Sequence, residues 1–262
     1  MSGTLGARRR VALHHEQEGA GPPLLLAGSL GADLSMWNPN VARLAGARRV
    51  IRFDTRGHGR SPAPSGPYSI ADLGHDVLGL LDELGFERAS YCGLSLGGMV
   101  GLWLAANAPE RIDRLVVACT SAHLPPASGW AERAAAVRAA GTTAAVAETV
   151  LGRWLTEPFA AANPEVTATL RAMLLATDPE GYAACCAAIE RMDLRAELGG
   201  IAAPTLVVAG SEDRATPLAH GREIADAIPG ARLEIVPGAH LASVECANAI
   251  DGLVIDHLRE QP

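Results

Sequence analysis

Tyr91-Cys92-Gly93-Leu94-Ser95-Leu96-Gly97-Gly98 decides how the rest of the chain is read. It contains G-x-S-x-G, with an apolar strand-length run before the serine and a helix-length run, Leu96 to Asn107, directly after it. With 12 serines and 28 glycines in 262 residues, roughly 0.14 such matches are expected by chance, so the pentapeptide alone is only suggestive. Context raises its weight. A strand-to-helix turn this tight forces the central residue into strained backbone and throws its side chain outward. A Cβ at Gly93 or Gly97 would collide with neighbouring backbone, so both flanks need glycine. The N-terminus of the following helix also favours negative charge beside the serine. The stretch therefore predicts Ser95 as a nucleophile.

Strand-length apolar runs recur on both sides, at Leu24 to Leu26, Val50 to Phe53, Leu115 to Val117, Leu206 to Val208 and Leu233 to Val236. Helix-length stretches lie between them, including Ile70 to Leu84 and Leu218 to Ala227. Strands alternating with helices predict an α/β fold, a mostly parallel sheet covered on both faces. The rhythm breaks from about Ser121 to Arg195, which is rich in alanine and arginine and has no convincing strand. Trp130 to Ala140, Ala144 to Leu155 and Val166 to Leu175 read as helices, separated by prolines. We expect a core formed by residues 1–120 and 198–262 and a helical cap over 121–197, placed where a lid can close on substrate.

Composition excludes several functions. The net charge is −7, and the one dense basic run, Arg8-Arg9-Arg10, is short and reads as a solvated strand edge, so no nucleic-acid partner is expected. All 22 basic residues are arginine. Without lysine there is neither a P-loop nor a Schiff base for pyridoxal phosphate. Five irregularly spaced cysteines suggest free thiols in a reducing compartment, with Cys185-Cys186 packed as small apolar residues in a cap helix. The N-terminus shows no signal-peptide core, and no apolar run is long enough to span a bilayer, so a cytoplasmic protein without a membrane partner is expected. Scattered histidines and the absence of C-x-x-C and H-E-x-x-H patterns imply no metal. No cofactor is expected, and the oligomeric state is not legible.

A serine hydroxyl needs a base and an orienting acid. On a sheet of this kind the acid follows the nucleophile in the chain and the histidine comes last. Asp213, after the Leu206 strand, is the predicted acid, with Glu212 beside it as a rival. His240, in the loop after the last strand, is the predicted base; no other histidine follows a sheet strand in that order. The oxyanion site needs two backbone N–H groups. Leu96, next to the nucleophile, supplies one, and Leu30, in the Gly28-Ser29-Leu30-Gly31 loop after the third core strand, supplies the other.

With these residues in place the chain resembles the α/β-hydrolase superfamily. Asp54-Thr55-Arg56-Gly57-His58-Gly59-Arg60-Ser61 looks like the D-x-R-G-x-G-x-S loop of many members, where its role is mainly structural, and His58 is not expected to be catalytic. A closer resemblance is to the 3-oxoadipate enol-lactonases. It is carried by Gly28 to Gly31 with Met36-Trp37, by the segment from Cys92 to Met99, and by Ala108-Pro109-Glu110-Arg111. Trp130 to Arg133, Arg153 to Thr156, Ala215-Thr216-Pro217 and Ala239-His240-Leu241 extend it nearly end to end. Gly28 departs from the asparagine common in that family.

The resemblance implies that Ser95 opens an enol-lactone through an acyl-enzyme, in the β-ketoadipate route of aromatic degradation. Such a substrate carries a free carboxylate arm, which on burial needs a cation. Arg133 and Arg138 are the candidates, with Trp37, Trp130 and Trp154 as possible walls. Another small-ester carboxylesterase or a perhydrolase-like relative would keep the same triad. A non-catalytic binding protein on this fold is a third reading, since fold does not fix function.

Overall fold

The computed structural model describes residues 10–259; Arg8 and Arg9 of the basic run lie outside them. Seven strands form one sheet: β1 (His15–Glu18), β2 (Pro23–Ala27), β3 (Arg49–Phe53), β4 (Ala89–Leu94), β5 (Ile112–Ala118), β6 (Thr205–Gly210) and β7 (Arg232–Val236). Their order across the sheet is β1-β3-β2-β4-β5-β6-β7. β1 runs antiparallel to β3, and every other neighbouring pair is parallel. The burial of each strand follows its place. All six residues of β4 and of β6 are buried, as strands covered on both faces must be. The edge strands are more polar: β1 reads HEQE, and β7 leaves Ile235 49% exposed.

The sequence reading contains no strand at β1, because His-Glu-Gln-Glu carries no apolar alternation. Pairing is supplied from β3, where Arg52 Nη2 donates to Glu16 and Glu18, each at 2.8 Å. One consequence is a corrected count. The Gly28–Gly31 loop follows the second described strand in chain order, not the third, although β2 is the third across the sheet.

Around the sheet lie α1 (Asn38–Ala45), α2 (Ile70–Glu83) and α3 (Leu96–Asn107). Between β5 and β6 come α4 (Ala127–Ala140), α5 (Ala147–Trp154), α6 (Glu157–Ala162), α7 (Pro164–Ala176) and α8 (Pro179–Glu190). The chain then adds α9 (Leu218–Ala227), α10 (Ala242–Glu245) and α11 (Ala247–Arg259). α2 starts at a capping box: Ser69 Oγ accepts the Asp72 N–H, while the Asp72 carboxylate accepts the Ser69 N–H. α3 is buried nearly all round, as expected of a helix wedged between sheet and α2.

The insertion is helical but divided differently from the sequence reading. Thr143–Val146 forms a short 3₁₀ turn, so α5 begins only at Ala147. The reading gave no limits for α6 or α8; Thr156 caps the first and Asp178 the second through its Gly181 N–H bond. Cys185 and Cys186 are fully buried in α8, which packs along α4. α8 also docks on the core where Gly57 faces Gly181, and a Cβ on Gly57 would stand 2.5 Å from the Gly181 Cα. Its neck is stitched by the Leu194 N–H to the Ala122 carbonyl at 2.9 Å and by a single bridge between His123 and Asp193. Among the described residues no helix is long and apolar enough to cross a membrane.

Candidate active site

Ser95 stands between the last residue of β4 and the first of α3, with φ +57° and ψ −116°. That left-handed φ is costly for a residue with a Cβ. It is held by the Ser95 N–H on the Ala118 carbonyl at 2.9 Å and by Thr120 Oγ1 on the Ser95 carbonyl at 2.7 Å. The flanking glycines are required as expected: a Cβ on Gly93 would run into the Gly97 carbonyl, and one on Gly97 would lie 2.5 Å from the Ala27 carbonyl oxygen.

The tip of β6 carries Asp213 and the tip of β7 carries His240, so parallel strand order delivers both to the same sheet end as Ser95. Ser95 Oγ lies 2.8 Å from His240 Nε2, and His240 Nδ1 lies 2.9 Å from Asp213 Oδ2. All three are buried, Ser95 least at 8% exposed. Glu212, the rival acid, is exposed. Asp213 Oδ1 accepts the N–H groups of Ala215 and Thr216 at 2.8 and 3.0 Å, and Oδ2 accepts the Thr216 hydroxyl at 2.7 Å. Burial pushes the Asp213 carboxyl up, but the bond and charge of His240 and the Thr216 donors outweigh it, so it titrates below the usual carboxylate range. The base loop is tied to α5 through the His240 and Leu241 N–H groups on the Arg153 and Trp154 carbonyls.

Beside Ser95, the N–H groups of Leu96 and Leu30 donate to no protein acceptor among the described residues. The Gly97 N–H on the Gly28 carbonyl at 3.0 Å clips the Leu30 loop to the turn. A hydroxyl hydrogen-bonded to an imidazole, with backbone N–H groups left without acceptors in the adjoining turns, is the kind of arrangement that acyl transfer uses. Among the described residues no group of three or more His, Cys, Asp or Glu could hold a metal ion.

A cavity of about 390 Å³ opens above Ser95 and His240. Trp130, Arg133 and Trp154 line it. Trp130 donates its Nε1–H to the Leu124 carbonyl, and the Arg133 guanidinium stacks on its ring at 4.7 Å from the centroid. Two expected contacts lie elsewhere. Trp37 is fully buried in the core and does not line the cavity. Arg138 turns to Glu180 in a bidentate pair at 2.7 and 2.9 Å, also away from the cavity. Arg133 and Arg138 are five positions apart, which on a helix places them about 140° from each other.

Two arginines that the sequence reading did not select line the cavity instead, Arg153 from α5 and Arg214 from the acid loop. With Arg133 they have no carboxylate partner among the described residues. Tyr182 also lines it, with the Arg133 guanidinium beside its buried hydroxyl. A detectable signal did exist for Arg214, which adjoins Asp213.

The model of the alpha/beta hydrolase fold matches residues 22–246, and the chain belongs to that family. Its relatives narrow the class. It is 40% identical over 246 residues to 3-oxoadipate enol-lactonase 2 of Acinetobacter baylyi, spanning 93% of this chain and 92% of that one. The crystal structure of the enol-lactonase from Burkholderia xenovorans LB400 superposes with a TM-score of 0.93 at 44% identity, covering 95% of this chain and 97% of that one. A Stutzerimonas stutzeri protein that carries the name carbamate hydrolase RutD is 33% identical over 256 residues, 95% of this chain and 96% of its own. Fold and relatives together make the chain a hydrolase of the ester and lactone type.

Proposed function

We propose that the chain opens 3-oxoadipate enol-lactone to 3-oxoadipate, with Ser95 as nucleophile, His240 as base and Asp213 as the acid that orients it. The observation that carries this reading is the hydrogen-bonded chain from Asp213 to Ser95 beneath a cavity that Arg133, Arg153 and Arg214 face without carboxylate partners. In a protein of net charge −7, three such cations at one opening favour an anionic substrate. The likeness to enol-lactonases supports an enol-lactone as that substrate.

Ser95 Oγ attacks the lactone carbonyl while His240 Nε2 takes its proton, and Asp213 stabilises the imidazolium that forms. The negative oxygen of the tetrahedral intermediate is met by the Leu30 and Leu96 N–H groups, at about 3 kcal/mol for each well-placed donor. Collapse expels the ring oxygen as an enolate, which takes the proton held on His240 and becomes the ketone, leaving the imidazole neutral. Water, deprotonated by His240, then attacks the ester on Ser95 and releases the new carboxylate. The free carboxylate arm lies toward Arg133, with Trp130 and Trp154 as walls and the Tyr182 hydroxyl as a further donor. Residues 121–197 act as the cap that carries these contacts, over a core of 1–120 and 198–262.

A carbamate is the second reading, raised by the RutD relative. The experiment is turnover of the enol-lactone, followed by loss of its conjugated absorbance, with Ser95→Ala alongside. Fast turnover that Ser95→Ala abolishes supports the reading. Hydrolysis of aryl esters or carbamates with an untouched lactone keeps the nucleophile and discards the substrate.

A further inference from the structure

His58 takes no part in the chain from Asp213 to Ser95, yet it is 1% exposed, deeper than Ser95 itself. Its Nε2 accepts the Gly31 N–H at 2.8 Å, and its Nδ1 stands 3.2 Å from the Arg56 carbonyl. A backbone N–H can only donate, so Nε2 is the bare nitrogen and Nδ1–H points to Arg56. The ring is therefore neutral and held in one tautomer.

Its acceptor position falls at the turn that presents the Leu30 N–H. The Ser29 carbonyl accepts the Ala32 N–H at 3.1 Å, with Gly31 as third residue at φ +84°. That is a type II turn. The alternative type I turn differs by a flip of the Leu30–Gly31 peptide, which would turn the Gly31 N–H away from His58. The next peptide unit of the turn, Gly31–Ala32, is gripped as well. Thr177 Oγ1, at the end of α7, lies 3.2 Å from the Gly31 carbonyl and shares its proton with the Met173 carbonyl at 3.3 Å. A Cβ on Gly31 would stand 2.5 Å from Leu174 Cδ1, so the insertion also fills the space behind the turn.

We propose that His58 is a positioning residue for the oxyanion site: by holding the Gly31 N–H it anchors the turn whose preceding peptide, Ser29–Leu30, carries the Leu30 N–H. This rests on the serine-hydrolase reading above but not on the choice of lactone. An oxyanion donor works only when it is aimed where the charge develops, and losing one costs about 10²–10³ in kcat. A donor kept but misaimed should cost somewhat less. The effect falls on kcat because the donor strengthens in the transition state and contributes little to ground-state binding.

The test uses His58→Gln, His58→Asn and Thr177→Val. Glutamine reaches to where Nε2 stands and can accept from Gly31; asparagine reaches only to where Nδ1 stands and keeps the Arg56 contact instead. On a neutral p-nitrophenyl ester, His58→Gln should keep kcat within about fivefold, while His58→Asn should lose about 30-fold with KM nearly unchanged. The rate of Ser95 phosphonylation by a fluorophosphonate should follow the same order. Thr177→Val should lower kcat a few-fold. Equal activity of the two His58 variants, or greater activity of His58→Asn, would overturn the proposal, since holding Arg56 would then be the role of the ring. If neither His58 variant folds, an unchanged kcat in Thr177→Val overturns it and a reduced kcat at constant KM supports it. A wild-type protein that neither hydrolyses the ester nor reacts with the fluorophosphonate removes the hydrolase reading and this proposal with it. An active esterase that ignores the lactone leaves the proposal standing.

Discussion

The cavity has two walls built on opposite rules. On the sheet side, Asp213 makes four hydrogen bonds, to the N–H groups of Ala215 and Thr216, the Thr216 hydroxyl and His240, and His240 reaches Ser95. On the insertion side, Arg133 and Arg153 face the space without carboxylate partners among the described residues. A satisfied polar network is rigid, and an unsatisfied buried group is costly until something arrives to pair with it. The contrast teaches a division of labour. On the proposed reading, the sheet holds the bond-making groups ready, and the insertion presents the polar groups that a substrate would pair with.

The largest expected effect tests the closed wall. Asp213→Asn keeps the shape but leaves His240 without its charge partner and in the wrong tautomer, and should lower kcat by about 10³–10⁴ with KM little changed, measured on any substrate that turns over. A loss under tenfold would mean that the sheet side is less committed than its hydrogen bonds indicate.

A smaller effect tests the open wall. Arg133→Ala should raise KM for an anionic lactone about tenfold while leaving a neutral aryl ester unchanged, the scale of one charge-assisted hydrogen bond. Arg138→Ala is the control from the same helix. Its pair with Glu180 is solvent-exposed, with both side chains 42% exposed, and is worth at most about 1 kcal/mol of stability, so neither substrate should notice the change. Equal KM effects from the two variants would erase the distinction between the faces of α4.

The closed wall should also show in stability against pH. The folded Asp213 pKa lies below the unfolded value of about 3.9. Its contribution is therefore present above pH 3.9 and is lost as pH falls through the lower folded value. The gap in melting temperature between the wild type and Asp213→Asn should be widest near neutrality and should narrow in acid. A gap that widens in acid would mean that burial governs this carboxyl.

The smallest effect concerns the thiols beneath both walls. Burial pushes Cys92 and Cys186 up to about 12, and Cys119 and Cys185 up as well. None of these four exposes a thiolate at neutral pH. Alkylation of the native protein, followed by peptide mass mapping, should reach only the half-buried Cys246 among the five and leave turnover unchanged.

The sequence by itself determined the alternation of strands and helices, the family, the serine turn and the chain order of the acid and the histidine. Each rests on local chemistry: a turn that only glycines permit, strands apolar enough to be buried, and loops that follow those strands directly. β1 escaped because an edge strand faces water and borrows its stability from Arg52 across the sheet. In the insertion, alanine on every side of α4 leaves no clear apolar stripe to fix which arginine turns inward. Only the tertiary structure decided that Arg138 meets Glu180, that Trp37 belongs to the core, that Arg153 and Arg214 reach the cavity, and that His58 accepts from Gly31. In those contacts the partner comes from a different element, 27 residues away for His58 and 42 for Arg138. The meeting of such side chains is fixed by how helices and loops pack, which short-range pattern does not encode.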